Sequence, residues 1–439
     1  MTIRSLPVTS TVPAASGYPE RVGGEASRLG LLALPGRPAS LAARGLLVAV
    51  NLASVAFFLL SYSQHGVGFG PYRIDLDVYR IGSQAWLHGV SLYGALPPTS
   101  SGAGLPFSYP PVAAMLLSPL SLLPMTVAAT ALTLATIALT ALVLRLFLRS
   151  AAGAGSWWTV GWLLPAALFL EPVRNTLNYG QVNVALMALV ALDCLTAAPR
   201  WRRGALVGVA AAVKLTPAAF VLFFALRRDW PAVRAAAASF AVSTGAGFLF
   251  GWRDSVAYWT SVVFQADRIG SPAYAANQSI QGVLARAGLD PHSTAGAAAW
   301  LGLSAVVVVV ACRGMRPALD RAADAWALSL NALAALLVSP ISWSHHWVWG
   351  ETAMLTLALL SARGRRSGGL ALATAGVVVF AVAPQWWFPS GGGRELGWAL
   401  WQQAAGSSYV ILAAVVLLLS AVGRSRAVSG PAPPPQLTW

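Results

Sequence analysis

The sequence is short of charge. Only 10% of its 439 residues are Asp, Glu, Lys or Arg, whereas 57% are hydrophobic and the mean hydropathy is +0.65. A soluble domain carries about a quarter charged residues, so too little polar surface exists here to cover a water-soluble particle. The lipid bilayer is therefore the solvent and a partner of the chain. Cysteine is nearly missing: Cys194 and Cys312 are the only two, both inside apolar stretches, which excludes a disulfide framework and a cysteine-based metal site. Lysine is rarer still, with Lys214 alone. The remaining charge is lopsided, 29 Lys and Arg against 14 Asp and Glu, a formal net charge of +15. Nucleic-acid binders cluster such charge on a solvated face. Here arginine sits in small groups between apolar runs, so the pattern reads as positive-inside topology and no nucleic-acid partner is expected.

Residues 1–40, rich in Pro, Gly, Ser and Arg, read as a disordered cytoplasmic tail, and 427–439, with Pro431, Pro433, Pro434 and Pro435, as a Pro-rich cytoplasmic one. Between them lie apolar runs at 41–62, 125–148, 157–170, 182–195, 205–226, 235–250, 295–311, 325–338, 347–360, 370–383 and 408–422. Run 41–62 has no A-x-A-like cleavage site after it and reads as a retained first span. The series predicts an all-α polytopic bundle with about 11–13 membrane helices, since helices satisfy their own backbone groups in lipid. Arg145 and Arg149, 200–203, 227–234, 313–321, 363–366, and Arg424 with Arg426 mark the inner connections. The outer side then gathers 63–108, 171–181, 252–294, 340–346 and 384–406. Parity makes 112–123 interfacial or re-entrant. Run 205–226, flanked by arginines at both ends, becomes a broken hairpin turning near Lys214-Leu215-Thr216-Pro217.

The outer connections hold most residues capable of chemistry. Asp75-Leu76-Asp77-Val78-Tyr79-Arg80 could supply a general base to a sugar hydroxyl, or be a solvated loop pairing with Arg73 and Arg80. On a helix the two aspartates point about 200° apart, so only one serves as base. Ser108-Tyr109-Pro110-Pro111 reads chiefly as scaffold. Arg174, Asn178, Gln181 and Asn183 suit a phosphate and sugar hydroxyls; the alternative is interhelical hydrogen bonding. Lys214 inside an apolar run calls for a polar cavity or an anion such as the phosphate of a lipid-linked donor, the alternative being snorkelling to the interface. Asn277-Gln278-Ser279-Ile280-Gln281 starts an interfacial helix running to Ala287, flanked by Arg268 and Arg286; its polar start contacts sugar or serves as amphipathic cover. In the stretch from Ser339 to Trp347, His345 and His346 diverge by about 100° on a helix and lack further ligands for a metal. An imidazole assisting a carboxylate or contacting a phosphate fits better, with Trp343 stacking on sugar or lying in the aromatic belt. Gly66-Val67-Gly68-Phe69-Gly70 is loop, not a dinucleotide fingerprint.

In order along the chain, Asp75-Leu76-Asp77-Val78-Tyr79, Tyr109-Pro110-Pro111, Asn178-Tyr179-Gly180-Gln181-Val182-Asn183, Lys214-Leu215-Thr216-Pro217 and the run from Ser339 to His346 resemble the polyprenol-phosphate-mannose-dependent α-(1→2)-mannosyltransferases of glycosyltransferase family 87. The likeness runs from about residue 41 to 360. It implies a GT-C membrane fold for residues 41–426, a polyprenyl-phosphate mannose donor, a glycan or glycolipid acceptor on the extracytoplasmic face of the cell membrane, and inversion from a β-linked donor to an α product. The family's loop aspartate falls on Asp75, with Asp77 at a variable position, and its histidines fall on His345 and His346. The catalytic set expected is thus Asp75, His345 and His346, with Asp77, Arg80, Tyr109, Arg174, Asn178, Gln181, Asn183, Lys214, Asn277, Gln278 and Trp343 binding substrate.

A single displacement needs one base and a leaving group whose charge is neutralised, for which Lys214, Arg174 and Arg80 are the cations at hand. The scheme requires no metal and no other cofactor, although the Asp75-Leu76-Asp77 spacing leaves a metal open. It does require the lone ammonium, the early carboxylate and the imidazole pair to share one chamber. Another sugar on polyprenyl phosphate remains an alternative, as does a lipid or glycolipid transporter, although the sequence lacks the paired repeats of many transporters.

Overall fold

The computed structural model describes residues 36–38, 40–60, 72–153 and 155–422. Most of the expected N-terminal tail, the 66–70 glycine loop and the C-terminal tail lie outside them. The first run forms α1 (Leu41–Leu60), followed by α2 (Ile74–Leu87), α3 (Pro111–Ser121) and α4 (Met125–Ala152). Next come α5 (Trp157–Phe169), α6 (Glu171–Tyr179), α7 (Asn183–Leu195), α8 (Ala205–Val213), a 3-10 turn at Thr216–Phe220, and α9 (Val221–Leu226). Then follow α10 (Trp230–Phe250), α11 (Trp252–Thr260), α12 (Ile280–Arg286), α13 (Thr294–Asp320) and α14 (Asp324–Val338). The last are α15 (Trp349–Arg363), α16 (Ser367–Val382), α17 (Leu400–Gly406) and α18 (Ser408–Val422). Among the described residues no strand forms; an isolated antiparallel bridge joins Asn277 to Trp343.

Each apolar run falls on a helix of this series, and 205–226 on α8, the 3-10 turn and α9. By length and composition α1, α4, α10, α13 and the stretch Ser367–Trp386 can each cross a bilayer, and α17 with α18, bent by 69° at their junction, form a broken span or a re-entrant loop. Twenty residues of helix reach about 30 Å, the hydrocarbon thickness. Their outward faces are apolar: Leu52, Val242, Leu249, Leu301, Val306 and Leu419 are exposed, as lipid contact requires. The chain is an all-α, multi-pass membrane protein.

Its connections sort into two groups that bond among themselves. At one end the Arg145 guanidinium donates to the Gly155 carbonyl, Arg363 to that of Ala151, and Arg227 pairs with Asp324 at 2.7 Å. At the other, Trp86 donates to Phe250, Arg268 to Tyr93, Gln278 to Gly406 and Trp386 to Glu171. The bonded connections fall within the two sets that the arginines separate in the sequence.

The hairpin shows why Lys214 sits where it does. Arg203 donates to the carbonyls of Asp193, Cys194, Thr196 and Ala197, and Asp193 accepts from the Gly204 and Val207 amides, which fastens the start of α8 to the end of α7. The second leg ends at Arg227, whose guanidinium pairs with Asp324 at the start of α14. Pro217 cannot donate to Val213, and the helix breaks with Lys214 extended at φ −148°, ψ 126°. The first leg packs on α10 through Gly208, where an added Cβ would come within 2.2 Å of the Ala236 carbonyl oxygen. Gly208→Ala should therefore lower stability by about 1–3 kcal/mol, read as an earlier thermal midpoint in detergent; an unchanged midpoint would show that the legs can spread freely.

Candidate active site

The site grows from the start of α2. Asp75 and Asp77 both lie in its first turn, where the helix dipole favours carboxylates, but helical geometry sends them apart. Asp77 is buried and accepts from the Tyr72 hydroxyl (3.1 Å) and the Ser100 amide (2.7 Å), fastening the 99–103 loop. Asp75 is half-buried and accepts from Gln181 Nε2 at 2.5 Å. Tyr79, one turn on, shares its face. The Tyr79 hydroxyl donates to Gln181 Oε1 at 2.6 Å and lies 2.9 Å from the Tyr109 hydroxyl, which also reaches Gln181 Oε1 at 3.2 Å. Gln181 follows Gly180, which ends α6 at φ +72° and lies so close to α2 that a Cβ would fall 2.6 Å from that of Arg73. Glycine there allows Gln181 to meet Asp75.

From the opposite side comes the hairpin tip. The Lys214 ammonium donates to Asn183 Oδ1 (3.1 Å), His346 Nε2 (3.1 Å) and the Tyr109 hydroxyl (3.4 Å), and stands 5.3 Å from the Tyr109 ring centre. An ammonium only donates, so His346 Nε2 is the acceptor and its ring is neutral, with the proton on Nδ1. Burial and the adjacent ammonium hold His346 well below the usual histidine range. His345 is held in place through its carbonyl, which accepts from Thr176 and Asn183, both at 2.9 Å. Its ring lies edge-on to Tyr179 and His346, with Nε2 making no hydrogen bond among the described residues. Thr176 belongs to α6, which Glu171 ties down further: this fully buried carboxylate accepts from Asn175 (2.7 Å), Trp386 (2.8 Å) and Tyr409 (2.8 Å).

These groups surround one cavity of about 470 Å³, within the usual range for a small-molecule site. Asp75, Tyr79, Tyr109, Gln181, Lys214, His345 and His346 make its polar part, and Trp343 also lines it. The rest of the wall is largely apolar, with Leu215, Ala219, Val263, Ile269, Ala335 and Val338 among its residues. The lone ammonium, the early carboxylate and the imidazole pair thus share one chamber. Asn183 stands behind it, bonded to Lys214 and to the His345 carbonyl.

Other expected contributors are placed elsewhere. Asp77 holds a loop. Arg80 donates to the Leu120 and Leu123 carbonyls and to Met125 Sδ, finishing α3, and is not free for a phosphate. Asn277 bonds the Pro272 and Pro340 carbonyls and the Ser342 amide, fastening the histidine loop, while the Gln278 side chain bonds the Ala275 and Gly406 carbonyls and its backbone amide donates to the Ser342 carbonyl; neither residue lines the cavity. Arg174 and Asn178 lie on α6, half-buried and outside the cavity wall. The second cation in that wall is Arg268, one of whose terminal nitrogens donates to the Tyr93 carbonyl while Nε has no partner. In sequence Arg268 is indistinguishable from Arg253 and Arg286 of the same connection. Only the fold separates them, turning Arg286 onto the Tyr274 and Asn277 carbonyls.

The family model described as Glycosyltransferase family 87 matches residues 107–340. A polyprenol-phosphate-mannose-dependent alpha-(1-2)-phosphatidylinositol mannoside mannosyltransferase of Mycolicibacterium smegmatis is 40% identical over 387 residues, covering 83% of this chain and 88% of its own. The protein of that name from Mycobacterium tuberculosis is 40% identical over 85% of this chain and 89% of its own. A polyprenol-phosphate-mannose-dependent alpha-(1-2)-phosphatidylinositol pentamannoside mannosyltransferase of M. smegmatis is 35% identical over 82% of this chain and 87% of its own. Among solved structures, ArnT from Cupriavidus metallidurans bound to undecaprenyl phosphate aligns over 88% of this chain and 79% of its own, at 16% identity and a TM-score of 0.39, too distant a likeness to argue from. The matched segment carries Tyr109, Gln181, Asn183, Lys214 and Arg268, and the curated relatives extend the similarity over most of the chain: it belongs to glycosyltransferase family 87.

Proposed function

We propose that this glycosyltransferase moves mannose from polyprenyl-phosphate mannose to a hydroxyl of a glycan or glycolipid at the extracytoplasmic face, with inversion and an α-(1→2) linkage. The observation that carries the reading is the placement of Asp75 and Lys214 on one cavity, joined through Gln181 and Tyr109, with apolar wall beside them for a prenyl chain. The relatives' names supply the donor class. The acceptor oxygen attacks the anomeric carbon, the bond to the phosphate oxygen breaks, polyprenyl phosphate leaves, and the acceptor proton passes to Asp75. Lys214 and Arg268 neutralise the phosphate as it departs, and charge placed in advance where it develops is a large catalytic term. His346, neutral and accepting from Lys214, keeps the ammonium aimed; the unpartnered His345 Nε2 is free for donor phosphate or sugar.

Inversion is favoured by the same wall. A double displacement needs a nucleophile and a separate acid/base group close together, and Asp75 is the one carboxylate among the described lining residues, Asp77 having turned away. The test is to give the purified protein radiolabelled polyprenyl-phosphate mannose and phosphatidylinositol mannosides. A 2-linked α-mannosyl product is expected; no labelled product would overturn the reading.

Burial raises the Asp75 carboxyl to about 6, with the Gln181 hydrogen bond and the Lys214 charge opposing the rise. A base works only when ionised, so kcat/KM should fall as pH drops through about 6 and level off above it. A profile flat from pH 8 to below 5 would mean that some other group takes the proton.

A further inference from the structure

We propose that the half-buried aromatic and polar groups bordering the donor cavity beside His345 bind a pyranose ring of the acceptor glycan. The inference rests on the transfer reaction above and places its second substrate. Tyr274 lies edge-on to Trp343 (5.9 Å between ring centres) and to Trp386 (6.1 Å), and Trp343 also lines the donor cavity, so this shelf is continuous with the chamber. Tyr179 packs edge-on against His345 at 5.2 Å, and His345 lines the chamber.

What marks the shelf as a site is its unused hydrogen-bonding capacity. The side chains of Arg174, Asn178, Tyr179 and Tyr274 are half-buried, yet none makes a hydrogen bond to another described residue, whereas neighbouring Glu171 accepts three. Arg174 and Asn178, four residues apart on α6, share one face. A pyranose has an apolar face of C–H groups and a rim of hydroxyls. Aromatic rings cover the first, and a guanidinium, an amide and phenols bond the second. An in-line displacement keeps the entering oxygen and the leaving phosphate on opposite sides of the anomeric carbon. The acceptor therefore needs a surface of its own that reaches Asp75, and Lys214 and Arg268 belong to the donor's.

The experiment uses the full chain in detergent. Arg174→Ala and Tyr274→Ala should each raise the acceptor KM about tenfold or more, while the donor KM moves less than about twofold. Asn178→Ala, a truncation on a half-exposed helix face that leaves folding intact, should raise it about threefold and keeps the test open should either larger change prevent folding. Saturation-transfer NMR with α-methyl mannoside, without donor, should show contact with the wild type that weakens in Arg174→Ala. An acceptor KM unmoved in the folded variants, a donor KM rising in parallel, or no contact with the wild type would overturn the shelf. Failure of the wild type to transfer mannose at all would instead overturn the reaction assigned above, and the donor-free binding arm keeps the two apart.

Discussion

Asp75→Asn is expected to abolish transfer, with kcat down about 10²–10⁴-fold, in a protein that purifies and melts like the wild type. The argument is one of shape against proton affinity. Asparagine has nearly the outline of aspartate, and its carbonyl oxygen can keep accepting from Gln181 Nε2, so the chain of bonds through Tyr79 and Tyr109 survives. What disappears is the only described carboxylate of the cavity wall able to accept the acceptor's proton. Steady-state rates on both substrates, beside a thermal melt in the same detergent, check this. Turnover near that of the wild type would remove Asp75 from the mechanism.

Lys214→Ala is expected to lower kcat/KM for the donor by about 10²–10³-fold, the scale for removing a preorganised charge from a developing anion, and to change the acceptor KM far less. The ammonium is fixed by three acceptors on three different segments, Tyr109, Asn183 and His346, so it is aimed before substrate arrives and no reorganisation is needed during bond breaking. The variant also leaves Asn183 Oδ1 and His346 Nε2 without their donor. Donor and acceptor titrations separate the two roles: an unchanged dependence on donor would make the lysine structural.

The sequence made some of this site legible and hid the rest for identifiable reasons. Lys214 stood out because a lone lysine in an apolar run needs a polar or anionic neighbour, and the hairpin followed from arginines at both ends of that run. The divergence of Asp75 and Asp77 followed from helical geometry alone. The loop helices α2 and α6 were less visible: their polar residues face other connections and the cavity, so hydropathy marks them as connections although they are helical. The fates of Arg80, Asn277 and Gln278 were hidden because carbonyl groups near in space and distant in sequence claim their donors. Arg268 was missed for the converse reason, since nothing local distinguishes an arginine facing a cavity from one facing backbone. Membership of a glycosyltransferase family, not any single residue, ends the transporter alternative.

The two-legged insertion carrying Lys214 also acts as a ruler. Its base is clamped by Arg203 and by the pairing of Arg227 with Asp324, so leg length alone sets how deep the ammonium lies. Adding or deleting one residue in α8 would slide the tip by about 1.5 Å and swivel it by about 100°, carrying the charge away from Tyr109 and His346 at once. Among homologues sharing this device, gaps should therefore spare the nine positions from Ala205 to Val213 and accumulate in the connections that face water.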